Sequence, residues 1–172
     1  MKPRLIILSD LWGKEKSNWV SFYIELLKVK FEIQYYDCCE LGEIDKTVYN
    51  EENLHSQFIN GGIEKAVSNL LKVEKNEIDI LAFSIGGIIA WKTALNDMNV
   101  ERLFAVSSTR LRYEDVIPKG EIKLYFGEND SNKPSQDWFQ KHSIDFEIIE
   151  NKNHDFYTEK GCAIAICNEI LK

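Results

Sequence analysis

The chain has 172 residues, 44% hydrophobic and 28% charged, a balance that argues against intrinsic disorder and fits one domain over residues 1–172. Its net charge of −7 disfavours nucleic acid as a partner, because phosphates need a basic face. No apolar run approaches the roughly 18 residues of a membrane span, and the four cysteines (Cys38, Cys39, Cys162, Cys167) match neither zinc-site nor disulfide spacing. A reduced, cytoplasmic protein that needs no metal or cofactor and no membrane is therefore expected.

In chain order, Arg4–Leu8 reads as a buried strand. Its apolar run meets Asp10 at once and lacks a small-residue cleavage site, so it is not expected to be a signal peptide. Trp19, Phe22, Tyr23, Leu26 and Leu27 recur at helical spacing up to about Lys30, and Phe31–Tyr36 follows as a second strand. Residues 37–52 show no periodicity and are expected to be loop. A helix is predicted over Leu54–Val73, weakened near its start by Gly61-Gly62. Next come a third strand (Ile78–Phe83), a helix (Ser84–Asn96), a fourth strand (Leu103–Val106) and a fifth (Ile122–Phe126). A short helix (Ser135–Lys141), a sixth strand (Asp145–Ile149) and a last helix (Lys160–Leu171) complete the chain. Strands alternating with helices predict an α/β protein of three layers, helices on both faces of a mostly parallel sheet of about six strands. In such sheets reactive groups gather beyond the carboxyl ends of the strands.

Three segments carry chemistry at such positions. The apolar run Ile80–Phe83 passes straight into Ser84, and a helix begins at once after it. So sharp a turn demands small residues two before and two after the serine, and Ala82 and Gly86 meet that demand. The helix start beneath the serine offers unpaired N–H groups to a developing oxyanion; the plainer role of Ser84 is to cap that helix. Asp130 follows the fifth strand in a turn of Gly, Asn, Asp and Ser, and His154 follows the sixth. His55 and His142, the other two histidines, read as surface residues. A serine hydroxyl needs a base, and the base needs a carboxylate to fix its tautomer, so the three residue types support one another.

At these residues the sequence resembles the α/β-hydrolase superfamily, from Leu5 to about Tyr157. Ala82-Phe83-Ser84-Ile85-Gly86-Gly87 is similar to its nucleophile elbow, Gly127-Glu128-Asn129-Asp130 to its acid turn, and Asn153-His154-Asp155-Phe156 to its histidine loop. The order Ser, Asp, His is also that of the superfamily. The resemblance implies a Ser84–His154–Asp130 triad, with the backbone N–H groups of Ile85 and of Trp12 or Leu11 forming the oxyanion hole. Asp10-Leu11 stand where the family usually has His-Gly. That puts a carboxylate near the site, either repelling anionic intermediates or bracing a neighbouring loop. The antiparallel strands that usually precede the family's first parallel strand are not expected. Only about fifteen residues, Ser107–Gly120, occupy the place of the helical cap, so a minimal, capless fold with an open site is expected.

Val106-Ser107-Ser108 is similar to the matching stretch of small carboxylesterases that act on pimeloyl methyl ester bound to acyl carrier protein. The substrate implied is a small-molecule or carrier-bound acyl ester or thioester. Arg110, Arg112 and Tyr113 are candidate substrate-binding residues, the two guanidiniums suited to clamping an anion unless they pair with Glu114 and Asp115 in solvent. Trp12, Phe83 and Tyr113 near an open face offer a surface to a second copy of the chain. Two alternatives stand beside hydrolysis: a binding protein that keeps the fold without its chemistry, and acyl transfer through the same serine.

Overall fold

The apolar runs form six strands: β1 (Arg4–Leu8), β2 (Glu32–Tyr36), β3 (Ile78–Phe83), β4 (Val100–Val106), β5 (Glu121–Gly127) and β6 (Asp145–Ile149). In the computed structural model, which describes residues Met1–Lys172, they make one sheet in the order β2-β1-β3-β4-β5-β6, with each neighbouring pair parallel. The helices are α1 (Val20–Leu27), α2 (Cys38–Leu41), α3 (Glu51–Gln57), α4 (Ile63–Val73), α5 (Ile85–Leu95), α6 (Gln136–His142) and α7 (Lys160–Ile170).

Successive side chains of a strand point to opposite faces, and here both faces are apolar. Leu5, Ile7, Leu81, Phe83, Phe104 and Val106 pack on one side against Val20, Tyr23 and Leu27 of α1 and Ala163, Ile166 and Ile170 of α7. Ile6, Leu8, Ile80, Ala82, Leu103 and Ala105 pack on the other against Ile63, Val67 and Leu70 of α4, Ile88 and Ile89 of α5, and Trp138 and Phe139 of α6. The result is a three-layer α/β/α protein. No helix is long and apolar enough to cross a membrane.

Two stretches depart from the sequence expectation. The helix expected over 54–73 begins at Glu51 and breaks at a wide turn, Phe58–Gly62, where Gly61 adopts a φ of +120°. Only glycine takes that conformation without strain, and the break turns α4 onto the sheet. The stretch 37–52 contains α2, too short to show a periodicity. Asp37 nucleates it by accepting from the N–H groups of Cys39 (2.7 Å) and Glu40 (3.3 Å).

The chain runs from β1 out to β2 and returns to β3 on the opposite side of β1. The connections after β1 and β3 therefore diverge, leaving a crevice at the carboxyl ends of these two strands, where open α/β sheets bind ligands. Between β4 and β5, Ser107–Gly120 holds only a single 3-10 turn, Leu111–Tyr113, so no helical cap covers the crevice.

Candidate active site

Ser84 sits at the junction of β3 and α5 with φ 50° and ψ −116°, a conformation that costs a non-glycine residue about 1–3 kcal/mol. Backbone bonds hold it there: its N–H donates to Val106 O (2.9 Å), and its carbonyl accepts from Gly87 (3.0 Å) and Thr109 (3.2 Å). The small neighbours have a visible cause. A Cβ on Gly86 would lie 2.5 Å from the Ser9 carbonyl oxygen, and one on Gly87 would lie 2.0 Å from Ser108 Oγ.

Ser84 Oγ lies 2.9 Å from His154 Nε2, and His154 Nδ1 lies 2.8 Å from Asp130 Oδ2. The Asp130 side chain is fully buried, and its second oxygen accepts the Asn132 N–H at 2.8 Å, so the carboxylate is fixed at both ends. The β6–α7 loop that carries His154 is anchored from β4, where Ser107 Oγ donates to the His154 carbonyl at 2.5 Å. Residues from the ends of β3, β5 and β6 thus form one hydrogen-bonded chain. Its bonds suit proton transfer from Ser84 to an imidazole whose other nitrogen is oriented by a carboxylate.

Beside Ser84, the N–H of Ile85 is in the first turn of α5 and has no intrahelical partner. Across the crevice, Trp12 does not have the free N–H expected of it: it donates to Asp10 Oδ1 at 3.0 Å, closing a tight Asx turn. The Leu11 N–H makes no hydrogen bond within the protein. Of the two residues left open after β1, only Leu11 keeps a free N–H.

Asp10 is 2% exposed, and its other oxygen accepts from Tyr157 Oη at 3.0 Å, linking the loop after β1 to the histidine loop. Burial pushes its carboxyl up to about 6, against the pull of the Trp12 N–H, the Tyr157 hydroxyl and the nearby imidazole of His154. Tyr157 is itself buried, which pushes its phenol well above the ordinary range, so the hydroxyl stays a donor to Asp10. Asp10 thus braces the neighbouring histidine loop, and it also lines the cavity over Ser84.

A 770 Å³ cavity opens over Ser84. Its lining includes Asp10, Leu11, Trp12, Ile85, Thr109, Ser131, Asn132, His154, Asp155 and Tyr157, together with Glu51, Glu52 and His55 from α3. Arg110, Arg112 and Tyr113 are absent from it. Arg112 instead donates to the carbonyl and Oδ1 of Asn132, both at 3.1 Å, which braces the turn carrying Asp130. Both guanidiniums lie over the Tyr113 ring, at 5.2 Å for Arg110 and 4.6 Å for Arg112. The pairing with Glu114 and Asp115 weighed against the clamp does not form either; those acids meet Lys92 and Lys141. Phe83 is no surface residue: it is fully buried among Trp19, Tyr23 and Tyr157.

The α3 wall carries no sequence signal beyond His55 being one of three histidines, because its approach to Ser84 depends on the path of 37–62. No three His, Cys, Asp or Glu side chains are grouped to hold a metal ion.

No family model matches the chain, and no curated protein sequence matches it. Solved structures do. A protein of the α/β hydrolase superfamily from Xanthomonas campestris pv. campestris superposes with a TM-score of 0.72 at 15% identity, covering 99% of this chain and 98% of that one. Carboxylesterase CesB from Bacillus subtilis gives 0.64 at 14% identity (99% and 82% covered). An α/β serine hydrolase homologue from Coxiella burnetii gives 0.65 at 17% (98% and 83%). Identities this low speak to architecture, and by architecture this chain has the α/β-hydrolase fold.

Proposed function

We propose that the protein is a serine hydrolase that cleaves a carboxylic ester or thioester through an acyl-enzyme. One observation carries the reading: a serine held in a strained elbow, 2.9 Å from an imidazole that is itself 2.8 Å from a buried carboxylate. Ser84 Oγ attacks the acyl carbon while His154 Nε2 takes its proton, and Asp130 steadies the imidazolium. The carbonyl oxygen, now negative, is received by the N–H groups of Leu11 and Ile85. Collapse of the adduct expels the alcohol or thiol, which leaves with the proton held by His154. A water molecule, deprotonated by the same imidazole, then attacks the acyl-serine and releases the acid.

The open crevice admits water to the acyl-enzyme, which favours hydrolysis over transfer to another acceptor. The alternative of a binding protein without chemistry draws on Asp10, whose carboxylate stands close to the proposed oxyanion position. Four unpaired thiols suit a reducing compartment, the cytoplasm. The test is a panel of short- and medium-chain p-nitrophenyl esters and acyl thioesters. Turnover by the wild type, abolished in Ser84→Ala and His154→Ala, is expected; equal turnover by wild type and variants refutes the mechanism.

A further inference from the structure

The wall of the cavity over Ser84 carries an uncompensated charge. Asp10, Glu51, Glu52 and Asp155 all line it, and no salt bridge in the protein includes any of the four. No lysine or arginine lines it. Lys16 comes to the Trp12 ring, its ammonium 4.0 Å from the centroid, but lies outside the lining. Glu51 and Glu52 occupy the first turn of α3, where acidic side chains complement the helix dipole. That accounts for their tolerance in the helix, and it leaves open why this end of the helix faces the nucleophile.

Such a wall repels a second negative charge and attracts a positive one. Asp10, which precedes Leu11 in the chain, brings part of that charge beside the proposed oxyanion hole, so an anionic substrate would meet repulsion both on entry and at the transition state. A cation held among these groups lowers both costs. Resting on the hydrolase reading above, we infer that the site selects esters bearing a positively charged ammonium group. Glu51, Glu52 and Asp155, together with the buried Asp10, form its recognition surface, and acids and acidic carrier proteins are excluded as substrates.

The experiment compares acetate esters of one shape and three charges: the choline ester, its uncharged 3,3-dimethylbutyl isostere, and the ester of a hydroxy acid of similar length, with acid release followed by titration. The expected kcat/KM falls from cation to neutral to anion, by about tenfold or more at the first step at low ionic strength. Raising the salt from about 0.01 M to about 1 M shortens the screening length from about 30 Å to about 3 Å and should shrink that ratio several-fold. The exposed pair Glu51→Gln/Glu52→Gln should shrink it as well. A neutral ester cleaved as well as the cationic one, with no salt dependence, overturns the charge inference and leaves the hydrolase reading standing. Failure of all three esters together with an unreactive Ser84 toward a fluorophosphonate overturns both.

Discussion

Replacing Asp10 by asparagine isolates what the buried carboxylate costs. Its carboxyl is pushed from an ordinary 3.8 to about 6, so keeping it ionised in the folded protein costs about 3 kcal/mol. Below pH 3.8 both folded and unfolded chains carry the proton and the cost is absent. Between 3.8 and 6 the unfolded chain loses its proton while the folded one keeps it, so this group makes stability fall as pH rises, and above 6 the cost is complete. An asparagine can still accept the Trp12 N–H and can donate to Tyr157, but the Tyr157 hydroxyl then lacks an acceptor for its own proton, a pH-independent loss of about 1 kcal/mol. Asp10→Asn should therefore be about 1–2 kcal/mol more stable than wild type at pH 8. Urea unfolding at pH 5 and pH 8 cancels the constant loss, and the variant's advantage should grow by about 1.5 kcal/mol between them. An advantage that is equal or smaller at pH 8 refutes the claim that this carboxylate is strained by burial.

Two further substitutions probe the framework around Ser84. Gly86→Ala puts a methyl 2.5 Å from the Ser9 carbonyl oxygen and 3.0 Å from Leu8 Cβ, and should destabilise by about 1–3 kcal/mol while displacing the elbow. A wild-type melting temperature with full ester turnover would contradict it. Ser107→Ala removes the hydroxyl that holds the His154 carbonyl. It should cost about 1 kcal/mol in urea unfolding and lower kcat more than it changes KM, because it loosens the base and leaves the cavity wall alone. A change confined to KM would assign Ser107 to substrate contact instead.

The sheet was legible because its strands are apolar on both faces, and the candidate residues stood out because each follows a strand end. Ser84, Asp130 and His154, some 24 to 70 residues apart, are the groups that the fold draws into one hydrogen-bonded chain. The limits lay in contacts that no spacing encodes. That Trp12 spends its N–H on Asp10 follows from a turn of three residues whose geometry also needs Gly13 at φ +67°. That Arg112 faces Asn132 rather than the cavity follows from the path of an irregular loop. The acidic wall was hidden most deeply, because the approach of Glu51, Glu52 and His55 to the site depends on the irregular path of 37–50 as well as the break at 58–62.

The most direct test of a nucleophilic Ser84 is intact-mass and peptide analysis after exposure to a fluorophosphonate. A single adduct on the Ser84 peptide is expected, absent from Ser84→Ala and formed about 10²-fold or more slowly in His154→Ala, since the imidazole is the proposed activating base. Folded protein that takes up no label, or an adduct that forms at the wild-type rate without His154, would contradict the account.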